Sequence, residues 1–84
     1  MIMKSPTADS REAQLALIPR HVRDKLDRAG IKLHLREWEL MTLGERERLC
    51  ELPCTSAEEV GRYATEVERL VSQLTGKAPD RLKP

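Results

Sequence analysis

Residues 55–76 read TSAEEVGRYATEVERLVSQLTG, and this stretch decides the fold. Val60, Tyr63, Ala64, Val67, Leu70, Val71 and Leu74 recur at three- and four-residue steps. One face of a helix with 3.6 residues per turn is therefore apolar along its length. At its start, either Thr55 with Glu58 or Ser56 with Glu59 has capping-box spacing, in which a hydroxyl and a carboxylate satisfy backbone amides left open by the first turn. Glu58 and Glu59 crowd that turn, where the helix dipole favours negative charge. Glu58 and Arg62 form an i, i+4 pair of the favoured orientation. Gly76 supplies the stop. An apolar face of this length needs other elements to cover it. We expect an all-α fold, a small bundle of three to four short helices with this longer C-terminal helix packed across them.

Working upstream, GERERLCEL ends at Leu52, because a residue before proline is pushed off helical angles and Pro53 follows. Thr42 and Glu45 again have capping-box spacing, with Leu43, Leu49 and Leu52 facing inward. Leu35, Trp38 and Met41 lie three apart, a short helix anchored by Trp38. IKLHL (31–35) alternates apolar and polar residues, but no second strand candidate exists elsewhere and a lone strand leaves its backbone groups unpaired. We read it as an extended connector that buries Leu33. In IPRHVRDKLDRAG, Pro19 suits a first helical turn. Val22, Leu26 and Ala29 make a narrow apolar stripe, and Gly30 gives a left-handed stop. A short helix capped by Asp9 or Ser10 is expected to run through Ile18. Residues 1–10 read as a flexible lead, 11–76 as one helical domain and 77–84 as a flexible tail. The expected core is Val22, Leu26, Leu33, Leu35, Trp38, Leu43, Leu49, Leu52, Val60, Tyr63, Val67, Leu70 and Leu74.

At 84 residues the chain is one small domain. It has one Trp, one Tyr and no Phe, so leucine and valine must build the core, which suits helices. Charged residues are 35% of the chain, yet the net charge is only +1, too little for a general polyanion binder. That balance hides an asymmetry. Residues 20–36 carry six bases against two acids, and residues 37–70 nine acids against four bases. No apolar run suits a signal peptide or a membrane span, so a cytoplasmic location without membrane contact is expected.

Three groups of residues invite functional readings. The first is the basic face of Arg20, Arg23, Lys25, Arg28, Lys32 and Arg36. It suits docking on an acidic protein surface. A small DNA-binding regulator would instead set Arg20, Arg23, Arg28 and Arg36 on phosphates, but the helices that follow are acidic and would repel them. The second is Cys50 and Cys54, four apart across Pro53. A thiol or metal module would use both, and zinc would have to recruit His21 and His34. Cys54, close to a helix start, is placed for a depressed pKa. The third is the Val60–Leu74 face, a homodimer surface if it is left uncovered. The carboxylates Glu37, Glu39, Glu45, Glu47 and Glu51 read as solvated helix faces. No Gly-rich phosphate loop, His-Glu-x-x-His or nucleophile elbow occurs, and a chain this short struggles to bury a cleft. We expect no enzyme activity, no cofactor and no resident metal.

The stretches IPRHVRDKLDRAGIKLHLREW, GERERLCELPC and EEVGRYATEVERLV, taken together, resemble the conserved nitrate reductase-associated proteins. The resemblance rests on Ile18-Pro19, Val22-Arg23, Lys25-Leu26-Asp27, Gly30-Ile31-Lys32-Leu33, Leu35, Trp38, Glu45-Arg46, Leu49, Leu52-Pro53-Cys54 and Tyr63. It covers about Ile18 to Leu74. It implies an association with nitrate assimilation and with nitrate reductase or molybdenum-cofactor proteins as partners. It implies no reaction and carries over no functional residues. The chain departs from the family pattern in REAQLAL, which has no Phe before Ile18-Pro19, and in Ala29, which stands where relatives have a cysteine. The expected function is that of a non-enzymatic accessory or adaptor protein docking on a larger protein.

Overall fold

A computed structural model describes residues 13–82. Four helices are joined by short corners: α1 (Arg20–Ala29), α2 (Leu35–Leu40), α3 (Leu43–Glu51) and α4 (Ala57–Thr75). Two short strands, β1 (Ile31–Lys32) and β2 (Asp80–Arg81), pair antiparallel, Ile31 opposite Arg81 and Lys32 opposite Asp80. The fold is thus mostly helical rather than purely all-α. The correction has one source, the residues after Gly76. The expected flexible tail returns and supplies the strand that the alternating segment at Ile31 lacked, and Leu82 N–H donates to Gly30 O at 3.0 Å.

The helix limits follow local chemistry. Ser56, not Thr55, caps α4: its hydroxyl accepts from Glu59 N–H, and the Glu59 carboxylate accepts from the amides of Ser56 and Thr55. Thr42 and Glu45 cap α3 in the same reciprocal way. Gly30 and Gly76 end α1 and α4 with φ of 73° and 78°, a left-handed turn that a Cβ would strain. Pro19 stands one residue earlier than expected, as the cap of α1 rather than inside its first turn. The proposed cap residues Asp9 and Ser10 lie outside the described residues. Downstream of them, the chain leaves helical conformation after Gln14 rather than at Ile18.

α4 lies across α1 and α2 and buries Tyr63, Val67, Leu70 and Val71 against them. Trp38 is fully buried at the centre. Leu43, Leu52, Val60 and Leu74 are only partly buried, and Leu35 is 39% exposed. Three helical residues rotate a side chain about 60° from its starting direction, which carries Leu35, at the first residue of a six-residue helix, to the rim. Leu15, Ile18, Ile31, Met41, Cys54 and Val71 complete the core in its place.

Removing residues 77–84 would uncover Ile31 and Leu33, both buried. We expect a cost of about 1–2 kcal/mol from the apolar area re-exposed, seen as a lower urea midpoint. An unchanged midpoint would mean that the tail contributes nothing to folding.

Candidate functional site

Most of the chemically distinctive side chains converge on the corner at Leu52-Pro53-Cys54. α3 ends there with carbonyls that have no amide to accept from. Lys25, from α1, donates through Nζ to Cys50 O at 2.5 Å and to Leu52 O at 2.7 Å. Its ammonium also lies 5.8 Å from the centre of the Tyr63 ring. Tyr63 donates its hydroxyl to Leu49 O at 2.8 Å, and Arg28 reaches Cys54 O at 3.1 Å. Cys54 Sγ turns back toward Lys25 O at 3.5 Å. A cation at the negative end of a helix is electrostatically favoured, and Lys25 holds that place for α3.

A second cation does the same work for α2. The Arg46 guanidinium donates to Trp38 O at 3.1 Å, Glu39 O at 3.2 Å and Leu15 O at 3.1 Å. It lies 5.8 Å from the Trp38 ring centre, and Trp38 donates its indole N–H to the same Leu15 O at 2.6 Å. Arg46 thereby ties the segment before α1 to the α2–α3 turn.

The corner is not built for nucleophilic chemistry. Cys54 is 2% exposed, and burial pushes its thiol up against the opposing pull of Arg28 and Lys25. The expected depression does not occur. The first-turn amides that would steady a thiolate are already bound by Ser56 and Glu59. Burial also lifts the Tyr63 hydroxyl far above the usual phenol range. Cys54 is buried and Cys50 half-buried, and neither forms a disulfide. The zinc set does not assemble. His34 Nε2 is 2.8 Å from Asp80 Oδ2, and among the described residues no group of three or more His, Cys, Asp or Glu side chains could hold a metal ion.

The six bases assigned to one basic face separate into two populations. Lys25 and Arg28 are occupied with their own chain's carbonyls. Arg20, Arg23, Lys32 and Arg36 are exposed, as Arg28 is, but hold no carbonyl of the described residues. The Val60–Leu74 face buries Tyr63, Val67, Leu70 and Val71 within the chain and leaves Val60, Ala64 and Leu74 partly buried. Arg46 escaped notice as a site residue altogether. The signal for both buried-side cations was in their spacing. Lys25 lies three from Val22 and four from Ala29, and Arg46 three from Leu43 and from Leu49. Each sits inside an apolar stripe, where a charge must find carbonyls.

A family model for conserved nitrate reductase-associated protein matches residues 8–84. The chain belongs to that family. No curated protein and no solved structure matches it. The match runs beyond Leu74 through the residues that form β2. Lys25, Trp38, Arg46, Leu49, Leu52-Pro53-Cys54 and Tyr63, which carried the family resemblance, all belong to the two carbonyl-capping clusters. Their chemistry holds the corners of this family member's fold.

Two outcomes follow. Lys25→Met should cost about 2–3 kcal/mol, the range for hydrogen bonds from a charged donor to partly buried acceptors, while Arg20→Ala stays within about 0.5 kcal/mol; urea unfolding monitored by Trp38 fluorescence measures both. The Cys54 thiol and Tyr63 phenol keep their protons to higher pH in the folded chain than in the unfolded one. Their stabilisation is therefore intact below the ordinary thiol and phenol ranges and lost as pH rises through the folded values. The urea midpoint should fall between about pH 8 and about pH 10.5, and fall less steeply in Tyr63→Phe.

Proposed function

We propose that this family member is a non-enzymatic accessory protein that docks on a larger protein of nitrate assimilation, nitrate reductase or a molybdenum-cofactor protein. One observation carries the reading: the side chains with chemical potential are spent on the fold itself. Lys25, Arg28, Arg46 and Tyr63 donate to backbone carbonyls, and Cys54 is buried with a raised pKa. What remains toward solvent is charge, with the bases Arg20, Arg23, Lys32 and Arg36 on the surface. Surface charge steers and selects a partner more readily than it performs a reaction. The family's association with nitrate reductase supports the choice of partner. The cytoplasm is the compartment this partner implies. No helix among the described residues is long and apolar enough to cross a membrane.

Affinity purification of the tagged protein from its source cells grown on nitrate tests the proposal. Nitrate reductase or a molybdenum-cofactor protein should co-purify, and release at raised salt should mark the contact as charge-driven. Recovery of neither partner would defeat the reading.

A further inference from the structure

The ribbon of β1 and β2 closes one end of the molecule, and three independent features meet there. The first is a cleft of about 240 Å³ between α1 and the ribbon, floored by Leu26, Ile31 and Leu33 and edged by Leu82. Leu82 is 39% exposed, and it also borders the adjoining cleft with Lys32 and Arg81. The second is charge. Arg23 and Lys32 line the first cleft, while Arg36 and Lys77 line a third that shares Asp80 with the second. None of these four bases makes an ion pair with a described residue. The acids nearby are mostly engaged: Asp80 with His34, Glu37 with the His34 amide, and Glu68 with Arg81. Asp27 is the exception. The third is backbone. Leu82 N–H bonds to Gly30 O, so Gly30–Leu82 and Lys32–Asp80 are the bonded pairs and Ile31–Arg81 is the pair between them. The N–H and C=O of Arg81 therefore point to the outer edge of β2, along which no described strand runs.

We propose that this end of the molecule receives an extended acidic segment of a partner protein, added as a third strand along β2. The partner's carboxylates lie against Arg23, Lys32, Arg36 and Lys77, and one aliphatic side chain rests beside Leu82. Edge addition takes affinity from main-chain hydrogen bonds and specificity from alternate side chains. The ribbon provides for both, with open Arg81 backbone groups, an apolar floor and a basic rim. The inference rests on the docking function proposed above and names its surface.

The probe is a fluorescein-labelled eight-residue peptide of alternating Glu and Val, titrated into the full chain by fluorescence anisotropy at low salt. It should bind, and an alternating Lys and Val peptide should not. Lys32→Glu and Leu82→Asp should each weaken binding roughly tenfold, as loss of a central contact does. Arg62→Glu on the far side of α4 should leave it unchanged. Circular dichroism confirms that each variant is folded. N-methylation of alternate peptide amides should abolish binding. Equal affinity for the N-methylated peptide would overturn strand addition. No binding of the Glu–Val peptide, or tighter retention of a short DNA duplex than of that peptide, would overturn the proposal outright. The docking function is judged separately. If nitrate reductase still co-purifies with the Lys32→Glu, Leu82→Asp double variant, the groove fails and the docking function stands. If the unaltered protein recovers no such partner, the docking function fails while the titration still decides the groove.

Discussion

The structure depends on Lys25 reaching the open carbonyls at the end of α3. Pro53 forces the chain out of helix at Leu52, whose ψ of 131° is extended. Breaking a helix at a half-buried place leaves carbonyls that water reaches poorly, each costly without a donor. Lys25 satisfies two of them with one charge and sets its ammonium near the Tyr63 ring. Tyr63 and Arg28 take the carbonyls on either side. The α3–α4 corner is thus fixed by groups from α1 and α4 at once. Because α4 supplies the long apolar face, the direction in which it leaves the corner decides how the rest can pack.

Arg46 repeats the solution at the α2–α3 turn, and the repetition reflects composition. A chain with no Phe and a single Trp has little aromatic area to bury. Small domains of this size gain only a few kcal/mol from their cores. Charged donors that cap helix ends and also lie against Trp38 and Tyr63 add hydrogen bonds where area is short.

Much of this was legible in the chain, and the rest failed for identifiable reasons. Ser56–Gly76 and Thr42–Leu52 were readable because cap, apolar period and stop all agreed. The ribbon was not, since DR at 80–81 has no strand pattern and becomes a strand only because Gly30 and Ile31 offer it backbone partners. Leu15 was readable as apolar but not as core, because the segment that carries it is held by Trp38 and Arg46 reaching back across the chain to its carbonyl. Counting Lys25 with the outward bases was an error of composition over spacing: a helix with six bases nearby looks basic all round until the stripe positions are separated from the rest.

That separation changes what the charge asymmetry means. In the basic segment at 20–36, Lys25 and Arg28 are spent on the carbonyls of the Leu52-Pro53-Cys54 corner, so fewer of its charges are left to meet a partner than its sequence suggests. The tail then brings Lys77 and Arg81 to the same end of the molecule, where they stand with Lys32 and Arg36. The basic surface is therefore assembled by tertiary structure from two distant segments. Its existence depends on the ribbon, which is two residues per strand and among the elements with fewest bonds to lose. Low local stability is typical of surfaces that reorganise on binding. A partner strand laid on β2 would add hydrogen bonds where the fold has fewest, and would stabilise the cover over Ile31 and Leu33 as it did so. Recognition and closure of the core's last edge would then be a single event, while the Lys25 corner, already complete, would be left unchanged.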